Sequence, residues 1–203
     1  MAINLQKGQR ISLKKDNGGA LDKMCIGVNW GAIEKRGFFG GTKTEAVDLD
    51  ASVGVYNANR ELIDVVYFGQ LKSKCGSIAH SGDDLTGDMD GDDGLDNEVI
   101  TLDLSRLPAE AEQLAFVLNS FRGQDFKDIP FARIRIYEGT PSRVDKEFAQ
   151  FDIANDEAFN GAVSMIMAKL YKRDGEWKFN SLGNPTRDKK LEKTLEAFAR
   201  DYF

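Results

Sequence analysis

The sixteen residues Asp83–Glu98 read DDLTGDMDGDDGLDNE, with eight carboxylates and no Lys or Arg. No other segment restricts the fold as much. So many like charges in one loop repel one another unless something positive meets them. Outside this window 25 acidic and 27 basic residues remain, a net of +2, so the formal charge of −6 belongs to the loop. A hard divalent cation is the natural counter-charge, because Ca²⁺ accepts six to eight oxygen ligands at once.

The rest of the chain is ordinary enough to fold. Its 203 residues suit one domain with at most an appendage. An apolar content of 41%, with thirteen Phe and two Trp, supplies a core. No apolar run approaches the length of a membrane span, and MAINLQKGQR has no apolar stretch long enough for a signal peptide. The expectation is a cytoplasmic protein with no direct membrane insertion. The negative charge argues against a nucleic-acid partner. Cys25 and Cys75 match no zinc spacing and read as reduced thiols, one in a strand and one near a turn. The single histidine, His80, cannot make a zinc site alone, and a triad around it would need distant residues to converge.

Most segments read as strands. Val47, Leu49, Ala51, Val53 and Val55 alternate with Asp48, Asp50, Ser52 and Gly54, a period of two with one apolar face. Leu62–Phe68 follows the Asn57-Ala58-Asn59 turn as a hairpin partner. Val99–Leu104, Gln113–Ser120, Ala132–Tyr137, Glu147–Ile153, Val163–Tyr171 and Glu176–Leu182 come at short intervals, separated by turn signals at Pro108, Gly123 and Gly139-Thr140-Pro141. Asp174-Gly175 predicts a two-residue hairpin turn. The fold class is therefore predominantly all-β, an antiparallel β-sandwich. Beyond Asn184-Pro185 the pattern changes. Leu191, Leu195, Phe198 and Tyr202 fall on one face of a C-terminal helix. The predicted organisation is a sandwich over residues 1–183 with a helical extension over 184–203 packed on it. A helix reserved for a partner protein is the alternative.

Two glycine-rich segments are plain loops. Asp16-Asn17-Gly18-Gly19 reads as a turn. Gly37–Thr44 lacks the Gly that a phosphate loop places before Lys-Thr, and it leads into a strand instead of a helix.

The acidic loop is not an EF-hand. Counted from Asp88, position 6 is Asp93 and position 12 is Val99; counted from Asp90, position 5 is Gly94. Calcium still suits it. Gly87, Gly91 and Gly94 let the backbone turn tightly so that neighbouring carboxylates converge. Magnesium wants a stricter octahedron, and zinc or copper would want His or Cys. Asp48 and Asp50 share one face of their strand and offer the far side of a cation site. The competing expectation is a solvated loop held open by repulsion, with Asp50 facing water. Paired carboxylates also serve glycoside hydrolysis, but there is no nucleophile elbow and no metal-hydrolase His motif.

The motifs INLQKGQRISL, Gly27-Val28-Asn29-Trp30, VDLDAS (Val47–Ser52), HSGDDLTGDMDGDD (His80–Asp93), LNSFRGQDFKDI (Leu118–Ile129) and MAKLYKRDGEWKFNSLG (Met167–Gly183) resemble the tellurium-resistance TerD-type family of bacterial stress proteins. The resemblance spans about the first 183 residues. It implies a calcium-binding β-sandwich with two ions and no enzymatic activity. It also implies a role in resistance to tellurite and to chemical, phage or colicin stress. The implied partners are other proteins of the tellurium-resistance operon, in a membrane-associated complex. The matching ligand positions are Asp50, Asp83, Asp84, Gly87, Asp90, Asp92, Asp93 and Glu98, with Asp48 beside them. The family's usual form places Glu directly after the paired aspartates. Here Gly94–Asn97 intervene, so either Glu98 swings back or Asp96 and Asn97 replace it. Calcium-dependent docking of a partner is the leading expectation. A calcium-bridged module for an anionic small molecule, phosphate or sugar is the alternative.

Overall fold

The computed structural model describes residues 2–15, 18–36, 40–152 and 157–203. Asp16-Asn17 of the first predicted turn, residues 37–39 of the glycine loop and Ile153 lie outside the described residues. The strands run in chain order as β1 (Ile3–Asn4), β2 (Arg10–Ser12), β3 (Lys23–Trp30), β4 (Ile33–Arg36), β5 (Thr42–Glu45), β6 (Leu49–Tyr56) and β7 (Leu62–Val66). They continue as β8 (Ile78–His80), β9 (Glu98–Asp103), β10 (Gln113–Ser120), β11 (Ala132–Thr140), β12 (Arg143–Asp152), β13 (Ser164–Arg173) and β14 (Glu176–Thr186), followed by helix α1 (Leu191–Asp201).

Two six-stranded sheets form the sandwich, one ordered β1-β12-β11-β3-β9-β8 and the other β2-β14-β13-β10-β6-β7. Pairing within them is antiparallel except for β1 against β12. Alternation drives this arrangement. Ile26, Val28 and Trp30 of β3 face Leu49, Ala51 and Val53 of β6 and Leu114, Phe116 and Leu118 of β10 in one buried core. In β13 the register slips between Ile166 and Ala168, so Met165 and Met167 face the core and then Ala168 and Leu170 do. The Asp174-Gly175 turn joins Arg173 to Glu176 with φ of 54° and 76°, the left-handed pair of a tight hairpin.

The helix covers the outer face of the second sheet. Leu195 and Phe198 are buried against Tyr56, Ala115, Val117 and Ile166, with Leu191 and Tyr202 at the margin. The Tyr56 hydroxyl donates to the Leu195 carbonyl at 2.9 Å, and its ring lies 5.2 Å from that of Phe198. Strand β14 runs on to Thr186, three residues past the boundary expected from sequence. Coverage by the helix also alters the face of β6 expected to be polar and wet. Asp48, Asp50 and Ser52 are 2%, 6% and 1% exposed. The expectation of Asp50 facing water is overturned, because α1 and the acidic loop close over that face. Among the described residues no helix is long and apolar enough to cross a membrane.

Candidate metal centre

The acidic loop is tied to the sandwich at its first turn. The Asp84 carboxylate accepts from Thr86 N, Thr86 Oγ1 and Gly87 N at 2.8–3.0 Å. Burial opposes its charge, but these bonds hold its carboxyl below the ordinary range. Gly87, at φ 65°, lies close against the Trp30 indole; a Cβ there would sit 2.6 Å from the ring. Only glycine fits both constraints. The indole N–H donates to the Val47 carbonyl at 2.9 Å. Backbone bonds Asp88 N to Trp30 O, Ala32 N to Asp88 O and Val47 N to Thr86 O complete the seam. The loop therefore meets the start of β6, where Asp48 and Asp50 stand.

Two groups of carboxylates result, each with oxygens within 4.8 Å of one another: Asp48, Asp50 and Asp83, and Asp88, Asp92 and Asp93. Each group could hold a metal ion. The first joins loop to sheet, as expected from the alternation of β6. Asp48 Oδ2 lies 3.3 Å from Arg122 Nε, while Oδ1 is buried with no hydrogen-bond partner. Burial, together with the charges of Glu98, Asp48 and Asp83, pushes the Asp50 carboxyl up to about 7. The donor set is all oxygen, which suits a hard divalent cation. A cation there would relieve both the orphaned oxygen and the mutual repulsion.

The second group is more exposed. Asp92 accepts from Asn29 Nδ2 at 3.0 Å and Gly94 N at 2.8 Å and pairs with Arg133 at 2.7 Å. Burial opposes its charge, yet these partners lower its pKa. Asp88 accepts from Asn97 Nδ2 at 3.0 Å, and burial raises its carboxyl. Asp88 is the member that sequence reasoning left out of the ligand set. Its spacing of four and five from Asp92 and Asp93 was the available signal.

Asp84, Asp90 and Glu98 join neither group, and Gly87 serves the seam. Asp90 is exposed. Residues Gly94–Asn97 account for the position of Glu98. Asp96 turns to Arg135 Nε at 2.7 Å, and Arg135 also reaches the Gly94 carbonyl at 3.1 Å. Asn97 spans from Trp30 N, through its Oδ1 at 2.8 Å, to Asp88. Glu98 then points inward, fully buried. It accepts from Ala51 N at 2.7 Å and Asp84 N at 3.2 Å and lies 3.3 Å from His80 Nε2. His80 Nδ1 accepts from Gly82 N at 3.1 Å, which puts the neutral ring's proton on Nε2, 3.0 Å from the Ala51 carbonyl. Burial disfavours imidazolium, but the Glu98 hydrogen bond and charge outweigh it and raise the His80 pKa. This pair crosslinks β8 and β9 to β6 and stiffens the strand that carries Asp50. Arg122, Arg133 and Arg135 supply part of the positive charge that the loop lacks. Cys25 is buried, its thiol raised to about 11 chiefly by burial, with the nearby Asp96 charge adding to it, and its Sγ donates to the Gly139 carbonyl; Cys75 meets the Ser73 and Ser77 hydroxyls.

The family model described as the TerD domain matches residues 1–202 of the chain. That span takes in the helix, which the sequence motifs did not reach. The chain is 37% identical over 192 residues to the tellurium resistance protein TerZ of Serratia marcescens, covering 94% of this chain and 93% of that protein. It is 37% identical over 211 residues to the stress response protein SCP2 of Bacillus subtilis, covering 98% and 100%. In fold it is similar to a Streptomyces coelicolor homologue of the telluride resistance protein (TerD), with TM-score 0.62, 19% identity and coverage of 89% and 96%.

Proposed function

The chain belongs to the TerD-domain family, whose relatives include tellurium-resistance and stress-response proteins, and from that premise we propose that it is a non-enzymatic calcium-binding stress protein. The carrying observation is the Asp48, Asp50 and Asp83 group. It holds two almost fully buried carboxylates and one orphaned oxygen where sheet and loop meet. An unpaired buried charge is costly, and an ion coordinated there offsets that cost. A second ion suits Asp88, Asp92 and Asp93. With both bound, the loop would set against β6 and present an ordered surface for a partner. The expected partners are other products of a tellurium-resistance operon, in a cytoplasmic, membrane-associated complex.

Calorimetry on chelator-stripped protein tests the proposal. Calcium should bind with a dissociation constant of ~10⁻⁷–10⁻⁵ M and magnesium far more weakly. Equal affinity for both ions, or heat from neither, would refute it. A calcium-bridged anion site is the second reading. Asp83 is exposed and Arg122 half-exposed beside Asp48, so the solvent side of the first ion is open to a phosphate or carboxylate.

A further inference from the structure

A cavity of about 490 Å³ lies between the start of α1 and the outer face of β6, β7 and β10. That volume falls within the ~300–1,000 Å³ range of small-molecule sites. Its walls and floor differ in chemistry. Tyr67, Phe68 and Phe121 stand at one side in edge-to-face contacts, Tyr67 to Phe68 at 5.3 Å and Phe68 to Phe121 at 6.0 Å. Phe121 is 66% exposed and Phe68 40%, which leaves aromatic surface uncovered beside the opening.

Asp50, Ser52 and Asn119 border the cavity from the sheet. Asp50 and Asn119 are opposite one another in the ladder, so they share this face. Ser52 Oγ is buried without a hydrogen-bond partner, and so is one polar atom of the Asn119 amide; the other meets Thr194 Oγ1 at 3.0 Å. Turning the amide over exchanges the two atoms but still leaves one unpartnered. Unpartnered buried polar groups are rare in proteins and point to a missing hydrogen-bonding group. The start of α1 adds charged side chains to the lining. Lys189 and Lys190 border the cavity with Glu192, and Lys190 caps α1 without a side-chain bond. The Leu191 and Glu192 N–H groups at the start of this eleven-residue helix thus have no side-chain cap and can meet an anion, while Lys193 N and Thr194 N bond to the Lys190 carbonyl at 3.0 and 3.2 Å.

We infer that this cavity binds a small aromatic acid bearing a hydroxyl group. The ring lies against Phe68 and Phe121, the hydroxyl meets Ser52 and Asn119, and the carboxylate meets Lys189, Lys190 and the helix start. The inference does not depend on metal binding, although Asp50 borders both sites.

The test is a titration of the full-length, chelator-treated protein with 4-hydroxybenzoate, followed by amide and side-chain chemical shifts. Binding tighter than about 1 mM is expected, with shifts centred on Ser52, Asn119, Phe121 and Leu191. Phenol and benzoate each lack one polar end and should bind at least about threefold more weakly, roughly 0.7 kcal/mol. Ser52→Ala removes an orphaned hydroxyl, so the fold should be kept while affinity falls about fivefold. Phe121→Ala, at an exposed position, should weaken binding about tenfold. Absence of saturable shifts, equal binding of the three compounds, or wild-type affinity in both variants would overturn the inference.

Discussion

Replacing Asp50 with Asn should have opposite effects with and without metal. The structure puts the Asp50 carboxyl at about 7 against an ordinary 3.8, because burial and the carboxylates of Glu98, Asp48 and Asp83 resist its ionisation. Each tenfold displacement corresponds to about 1.4 kcal/mol, so ionising Asp50 in the metal-free fold costs up to roughly 4 kcal/mol. The unfolded chain ionises it near the ordinary value. Metal-free stability therefore falls as pH rises from about 4 through about 7, where the native state holds the extra proton. Asn keeps the shape and avoids the charge. In chelator, Asp50→Asn should match wild type near pH 4 and exceed it by up to about 4 kcal/mol at pH 8. With calcium, the same variant loses a ligand, and affinity should fall at least tenfold, about 1.4 kcal/mol. Urea melts at the two pH values in chelator, paired with calcium calorimetry, read both effects. A variant no more stable than wild type at pH 8 would refute the repulsion. Unchanged calcium affinity would show that the sheet delivers no ligand to the ion.

Asp92→Asn should also weaken calcium binding at least tenfold, about 1.4 kcal/mol, leaving Asp48, Asp50 and Asp83 with one residual site; a wild-type two-site isotherm would remove the second group from the scheme. Calcium at a hundred times its dissociation constant should add roughly 2.7 kcal/mol per independent site to stability, and a melting temperature indifferent to chelator would mean a merely solvated loop. Lowering the pH below about 7 should weaken calcium binding, because Asp50 then holds a proton that the ion must displace; a flat affinity between pH 8 and pH 6 would count against Asp50 as a ligand. The Cys25→Ser, Cys75→Ser double variant should keep calcium affinity and fold, since hard calcium does not seek sulfur, and a selective loss of affinity by calorimetry would contradict the placement of both thiols. Phe198→Ala should cost about 3–5 kcal/mol, the usual range for emptying a buried Phe site, and a loss below 1 kcal/mol would mean that α1 is not docked.

The alternation of apolar residues by itself determined the sandwich. Leu49, Ala51 and Val53 can satisfy a core only as an extended strand, and the i, i+4, i+7 stripe of Leu191, Leu195 and Phe198 can do so only as a helix. Local chemistry also sufficed for the Asp174-Gly175 turn and for the all-oxygen character of the acidic loop. Periodicity identifies a face but not what covers it. Asp50 and Ser52 were legible as the polar face of β6, yet their burial follows from α1 and the loop closing over that face, contacts between segments far apart in sequence. The same limit applies to the ligand groups. The run of carboxylates has no internal rule for which of them meet. Arg133 and Arg135 draw Asp92 and Asp96 toward β11, Glu98 is pulled inward to His80 and Ala51 N, and Asp88 is brought to Asp92 and Asp93. Charge density is a property of the chain, but the convergence of particular oxygens requires the two sheets to be in place first.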